Sequence, residues 1–315
     1  MAQQTWEFDA PTGVYKSHAM SARLFEASIE DTVFVDHVRP IDGFGRGKGD
    51  TVTWTRIANI TEPTSATLSE TDRIPEDTFS LTTRSATIAE IGRAVPYTEL
   101  STDLSEFDLE NPVQSKLRSQ MSLYLDTLAA TAFKDTQIKY DITGLATGTF
   151  TTTGSFTNAS TENMNVYHVE EIRDYMYDTL QADTLEGGDY MAVFRTLGLR
   201  GIKRDPAWEE WHKYTDPQAK FNNELGRIEG IRFQETNHNN ALGKVGTSSV
   251  LGEGVVFGAD AVVVAESLTP ELRAAMPGDF GRARAVAWYG QLAFKSVWGD
   301  SASAGEANVV HVGST

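Results

Sequence analysis

Residues 43–98 hold two strand-like runs joined by a long polar segment, and neither run carries enough apolar surface to fold by itself. In TVTWTRI, 51–57, threonines alternate with Val52 and Trp54, the period-2 pattern of a half-buried strand. A second run, RSATIAEIGRAVPYT, spans 84–98. Between them lie Pro63, Pro75 and many Thr, Ser, Glu and Asp, with Ile60, Leu68, Ile74 and Phe79 as isolated apolar residues. The pattern predicts a long two-stranded hairpin with a polar tip. Such a hairpin is marginal alone in water, because its burial does not offset the entropy lost on ordering it. It must lean on another surface.

The entry to this ribbon, GFGRGKGD, places Gly43, Gly45, Gly47 and Gly49 at alternate positions, with Arg46 and Lys48 between them. A phosphate-binding loop needs Ser or Thr after its Gly-Lys pair, and then a helix. Here Gly49 and a strand follow Lys48. The four glycines therefore read as a flexible hinge.

Downstream, Asn111 and Pro112 form a helix start. Val113, Leu117, Met121, Leu125, Leu128 and Ala132 continue it as one stripe, which predicts a helix to about Lys139, roughly 40 Å long. Residues 143–161 are rich in Thr and Gly and read as a surface loop or small hairpin. A second amphipathic helix is expected over 162–183, a buried strand over 189–194 and a short helix over 195–203. Residues 225–236 read as a turn and strand. GVVFGADAVVVAES, 254–267, reads as a strand or strand pair buried on both faces. Val286, Trp288, Leu292, Phe294 and Trp298 alternate along one closing strand. The segment 1–16 reads as an arm without a core. Residues 17–30 carry a helical stripe through Met20, Leu24 and Ala27, and the tail from Ser301 reads as loose.

Composition and motifs argue against most chemistry. The chain has 44 acidic and 27 basic residues, a net charge of -17, which disfavours sequence-specific nucleic-acid binding and anionic lipid. It contains no cysteine, so disulfides, thiol nucleophiles and Cys-type metal sites are excluded. No apolar run approaches the ~20 residues of a membrane-spanning helix. The opening residues lack the basic and apolar regions of a signal peptide, so a cytoplasm-like compartment is expected. None of the histidines forms H-E-x-x-H, and no G-x-S-x-G is present. Glu70, Asp72, Glu76 and Asp77 read as a solvated face, and Trp208 and Trp211 as core or interface. No catalytic residue, metal or cofactor is assigned.

The order of parts, together with APTGVYKSHAMSARLFEASIEDTVF, GKGDTVTWTRI, IAEIGRAVPYT, ELGRIEGIRFQET and GVVFGADAVVVAES, resembles the major capsid proteins of tailed bacteriophages. The wording is similar to that of the N-four-like podoviruses. The resemblance implies an α+β Hong Kong-97-like fold, divided into an N-terminal arm (1–40), an E-loop hairpin (41–98), a P-domain with a spine helix (99–187), an A-domain (188–279), and a return strand with C-terminal tail (280–315). It implies a shell subunit of a virion, assembled in the host bacterial cytoplasm as hexamers and pentamers around double-stranded DNA. Scaffolding, portal and decoration proteins are the further partners it suggests. Candidate contacts between subunits are Arg46, Lys48, Trp54, Arg56, Ile60, Leu68, Arg73, Ile74 and Phe79. Three other readings stay open: a nanocompartment shell of the same fold, a carboxylate-based hydrolase, and a sugar-binding surface module using the stretch from Trp208 to Tyr214.

Overall fold

The computed structural model describes residues 29–41, 47–60, 62–68, 70–71, 73–104, 110–185, 187–206, 208, 226–277 and 279–314. The helical stripe expected before residue 29, the glycines Gly43 and Gly45, Arg46, and the aromatic stretch 209–225 lie outside the described residues.

In chain order, β1 (Arg39–Pro40), β2 (Thr51–Ile57), β3 (Leu81–Thr87) and β4 (Ala89–Thr98) precede helices α1 (Glu99–Leu104) and α2 (Glu110–Lys134). Next come β5 (Lys139–Gly144), β6 (Thr147–Thr151), α3 (Val166–Asp174), β7 (Tyr190–Arg195) and α4 (Thr196–Lys203). The later strands are β8 (Arg227–Ile228), β9 (Ile231–Thr236), β10 (Lys244–Val245), β11 (Leu251–Gly252), β12 (Gly254–Phe257), β13 (Val262–Ala274), β14 (Ala283–Ser296) and β15 (Val309–Gly313).

A seven-stranded sheet runs β6-β5-β15-β12-β7-β9-β8. At its centre, β12 is antiparallel to both β15 and β7, with Val256 opposite Val310 and Ala192. Side chains alternate between two cores. Val256, Val310 and Ala192 meet Val169 and Ile172 of α3 and Leu199 and Ile202 of α4. Val255, Val193 and Val309 meet Ala129, Ala130 and Phe133 of α2, with Phe34. Both faces are covered, which is why GVVF shows no polar alternation.

The second sheet runs β1-β13-β14-β4. Val286 and Trp288 of β14 bury against Leu117 on the N-terminal half of α2, and Trp288 Nε1 donates to Gln120 Oε1 at 3.1 Å. Helix α2, 25 residues and roughly 38 Å long, therefore spans both sheets. Its buried face turns as it passes between them. Leu117 is buried in the first half; Asp126, Ala129, Ala130 and Phe133 are buried in the second, while Leu125 and Leu128 are only half-buried.

Three details differ from the sequence reading, and a fourth, the run 254–267, settles an alternative that it left open. Helix α2 ends at Lys134, because Ile138, Tyr140 and Ile142 enter the core around β5. The run 84–98 is divided at Ile88: β3 pairs with β2, whereas β4 pairs with β14 from Ala89 to Thr98. The run 254–267 is two strands in different sheets, turning at Asp260 with φ of 52°. The tail is not loose, since Val309, Val310 and Val312 are buried in β15 between β12 and β5. The seven-stranded sheet thus draws strands from the segments 99–187, 188–279 and 280–315 alike.

A buried polar chain secures β15. Lys139 Nζ donates to His311 Nδ1 at 3.0 Å, and His311 Nε2 donates to Glu253 Oε1 at 2.7 Å. Lys134 lies 3.5 Å from the other Glu253 oxygen. Burial lowers His311 to about 4 and Lys139 to about 8. Burial alone would raise Glu253, but the hydrogen bond from His311, the charge that His311 takes on only below about pH 4, the Gly243 N–H and the Lys134 charge outweigh it and hold the carboxyl at about 2. His168, buried beside the Tyr140 hydroxyl at 2.9 Å, is lowered by burial to about 4.

Both histidines are neutral in the fold and resist a proton that the unfolded chain accepts near 6.5. Their contribution is complete above that pH and is lost as pH falls toward 4. Each accounts for on the order of 3 kcal/mol over that window. Glu253 adds a further loss from about 4.5 down to about 2. Urea midpoints measured between pH 7 and 4 are expected to fall steadily. A flat profile would show that the histidines are not held neutral.

Candidate assembly surface

Strands β2 and β3 pair antiparallel over their whole length, from Thr51 opposite Thr87 to Ile57 opposite Leu81. Alternation gives this ribbon two faces. Val52, Trp54 and Arg56 share one face with Arg84 and Ala86, and on it Val52, Arg56 and Ala86 are buried. The threonines at 51, 53, 55, 83 and 87, with Ser85, stand exposed on the other.

The inner face is bolted to the body by charge. Arg56 donates to both carboxylate oxygens of Asp300, at 2.5 and 3.2 Å, and to the Val297 carbonyl at 3.1 Å. Its guanidinium lies 4.8 Å from the Trp298 ring centroid. Arg84 reaches Asp300 at 3.1 Å and Asp135 at 3.2 Å, and Lys295 reaches Asp135 at 2.6 Å. The Arg56 hydrogen bond, with the Arg84 charge, lowers the Asp300 carboxyl below its ordinary range. Such forked Arg–carboxylate pairs fix direction as well as distance.

Beyond the stem the chain changes character. Described residues between Ile57 and Leu81 form no strand or helix. Ile57, Ile60, Leu68, Ile74, Phe79 and Leu81 are all exposed, from 49% at Leu68 to 69% at Ile74. Ile57 and Leu81 close the stem, and the other four lie in the segment that it carries.

The predicted contacts therefore separate. Ile60, Leu68, Ile74 and Phe79 are each exposed in the segment between the two strands. Arg73 is in the same segment and pairs with Glu76 at 2.7 Å, and Lys48 is exposed at the ribbon's entry. Arg56, by contrast, is 8% exposed and committed to its own chain, and Trp54 is half-buried on the same inner face. Of the four glycines expected to act as a hinge, the described Gly47 and Gly49 have φ of 81° and 94°, with open space around a would-be Cβ. Arg84, Asp135, Lys295 and Asp300 escaped the sequence reading. Arg84 and Asp300 are 216 positions apart, and no local pattern joins them.

Beside the stem, a groove of about 610 Å³ runs between α2 and strands β4 and β14. Ile91, Tyr124, Leu128, Leu292 and Phe294 line it, together with Lys134, Asp135 and Lys295.

No family model matches this sequence, and no curated protein matches it. Solved structures do match. The capsid of cyanophage Pam1 is 14% identical, with a TM-score of 0.74 over 96% of this chain and 97% of that one. The capsid of Helicobacter pylori bacteriophage KHP30 is also 14% identical, with a TM-score of 0.70 over 95% of each chain. The capsid of Ralstonia phage GP4 is 15% identical, with a TM-score of 0.64 over 99% and 97%. The chain has the α+β, Hong Kong-97-like fold of tailed-phage capsid subunits, as the resemblance led us to expect.

Proposed function

We propose that this chain is the major capsid protein of a tailed phage, and that its activity is self-assembly without turnover. The observation that carries this reading is the hairpin: its stem is bolted to the body, while the segment beyond it exposes four apolar residues, Ile60, Leu68, Ile74 and Phe79. A fold shared with capsid subunits over nearly the whole chain supports it. In this reading residues 41–98 serve as the E-loop and α2 as the spine of the P-domain. Ile60, Leu68, Ile74 and Phe79 bury against a sister chain, and the apolar groove beside α2 is the receiving surface.

Weak contacts repeated over many copies hold a shell that no single contact could hold. The net charge of -17 suits a wall against which packed DNA slides, since a cationic wall would bind it. Scaffolding, portal and decoration proteins, and assembly in the host cytoplasm, belong to the same proposal. Electron microscopy of the purified chain tests it. Shells or capsomers are expected; a stable globular monomer at high concentration would instead favour the hydrolase reading.

A further inference from the structure

The ribbon is attached to its own body through few buried apolar side chains. On its inner face only Val52 and Ala86 are fully buried apolar side chains. Much of the remaining attachment is ionic, with two carboxylates, Asp300 and Asp135, shared among Arg56, Arg84 and Lys295, beside the Arg56 contacts to the Val297 carbonyl and the Trp298 ring. Arg84 touches both acids and so couples them. Gly299 brings them together, because a Cβ there would collide with the Asp135 carbonyl oxygen at the end of α2. The ribbon's two ends are narrow. One is the Gly47–Gly49 turn, and the other is Ile88, whose N–H donates to the Asp50 carbonyl at 2.8 Å.

We propose that Arg56, Arg84, Asp135 and Asp300 form a two-state latch that sets the direction of the hairpin. Closed, it presses the stem on the 297–300 turn. Open, the ribbon leaves that turn, pivoting at Gly47–Gly49 and Ile88, and its own pairing loosens. Intermediate positions are disfavoured, because a partial shift strands the buried Arg56 guanidinium without its carboxylate. Two of the ions are largely exposed, Asp300 at 52% and Asp135 at 45%, so salt screens the latch and eases opening. One sequence could then point its tip in more than one direction, as the unequal positions of a closed shell require. That consequence rests on the capsid reading; the latch itself does not.

Hydrogen exchange on the unassembled full-length chain tests the latch. An undocked two-stranded ribbon loses protection, since it is marginal alone. Asp300→Asn is expected to speed exchange in 51–57 and 81–87 at least tenfold, about 1.4 kcal/mol, with β12 and β15 unchanged. Asp135→Asn should act in the same direction, and Glu76→Gln, on the tip, should not. Unchanged exchange in the stem would overturn the latch. So would equal acceleration in β12 and β15, which would make the clamp a support of the body. Microscopy of the same variants reports separately on assembly. If the wild-type chain forms no shells, the capsid reading fails while the exchange result stands. If Asp300→Asn opens the stem yet its shells match the wild type in size and uniformity, the latch has no part in directing assembly.

Discussion

Replacing Asp126 with alanine is expected to destabilise the folded chain by roughly 3–5 kcal/mol, the range for breaking a buried charged network. Asp126 sits on α2 with no exposed surface. Its Oδ1 accepts from the backbone N–H groups of Val33 and Phe34 at 2.9 and 2.7 Å. Its Oδ2 lies 2.8 Å from His238 Nδ1, and His238 is equally buried. Alanine orphans two buried N–H donors and a ring nitrogen at once, and each orphan costs about 1–3 kcal/mol. It also frees the turn that carries Phe34, whose ring lies 5.6 Å from Phe133 in the core. Asp126→Asn should cost less, because one carbonyl oxygen can still serve Val33 and Phe34 while the amide meets a re-tautomerised His238. The check is the urea midpoint of each variant at an unchanged slope. A loss below about 1 kcal/mol for alanine would mean that water replaces the carboxylate and that the clasp is unimportant.

What could be read from the residues depended on how local the cause was. The strand β2 followed from Thr–Val–Thr–Trp alternation, and β14 from even-numbered apolar positions across its length. Asn111 and Pro112 announced a helix close to where α2 begins, but Glu110 is already helical, so Asn111 lies inside the helix rather than at its cap. Its end was not announced: the expected helix runs to about Lys139, but α2 stops at Lys134, and Lys139 instead opens β5 beside β15. Strand β15 itself, VVHVG, is a short apolar run in a Ser-, Ala- and Gly-rich tail. Its burial comes from the slot between β12 and β5, which no local pattern announces.

The tip and the stem of the hairpin divide in the same way. Isolated Ile60, Leu68, Ile74 and Phe79 in a polar segment correctly signalled apolar residues without a home in their own chain. Arg56 looked equally available, since it alternates with threonines like an exposed cation. It is instead bound to Asp300, 244 positions away. The ribbon therefore does not depend wholly on sister molecules. Its stem is sheltered at home and only its tip is not.

That division makes removal of the tip the second large effect. Ile57 and Leu81 face each other across the ribbon, and the Ala58 N–H donates to the Ser80 carbonyl at 3.2 Å. The strands are thus already close enough for a two-residue Asn-Gly turn, which matches their twist, to replace residues 58–80. Arg56, Arg84 and the body contacts of the stem stay in place. The shortened chain loses Ile60, Leu68, Ile74 and Phe79, each exposed in the folded chain, so the fold has little to lose by their removal. A shell held by many weak repeated contacts is sensitive to losing one contact from every copy, because the loss is multiplied by the number of copies.

The deciding measurement is light scattering with electron microscopy on this shortened chain, beside the full-length protein and with urea midpoints for both. The expected result is that closed particles vanish while the midpoint stays within about 0.5 kcal/mol of the parent, the range of surface changes. Particles of normal size and stability from the shortened chain would contradict the claim that the hairpin tip joins one copy to the next.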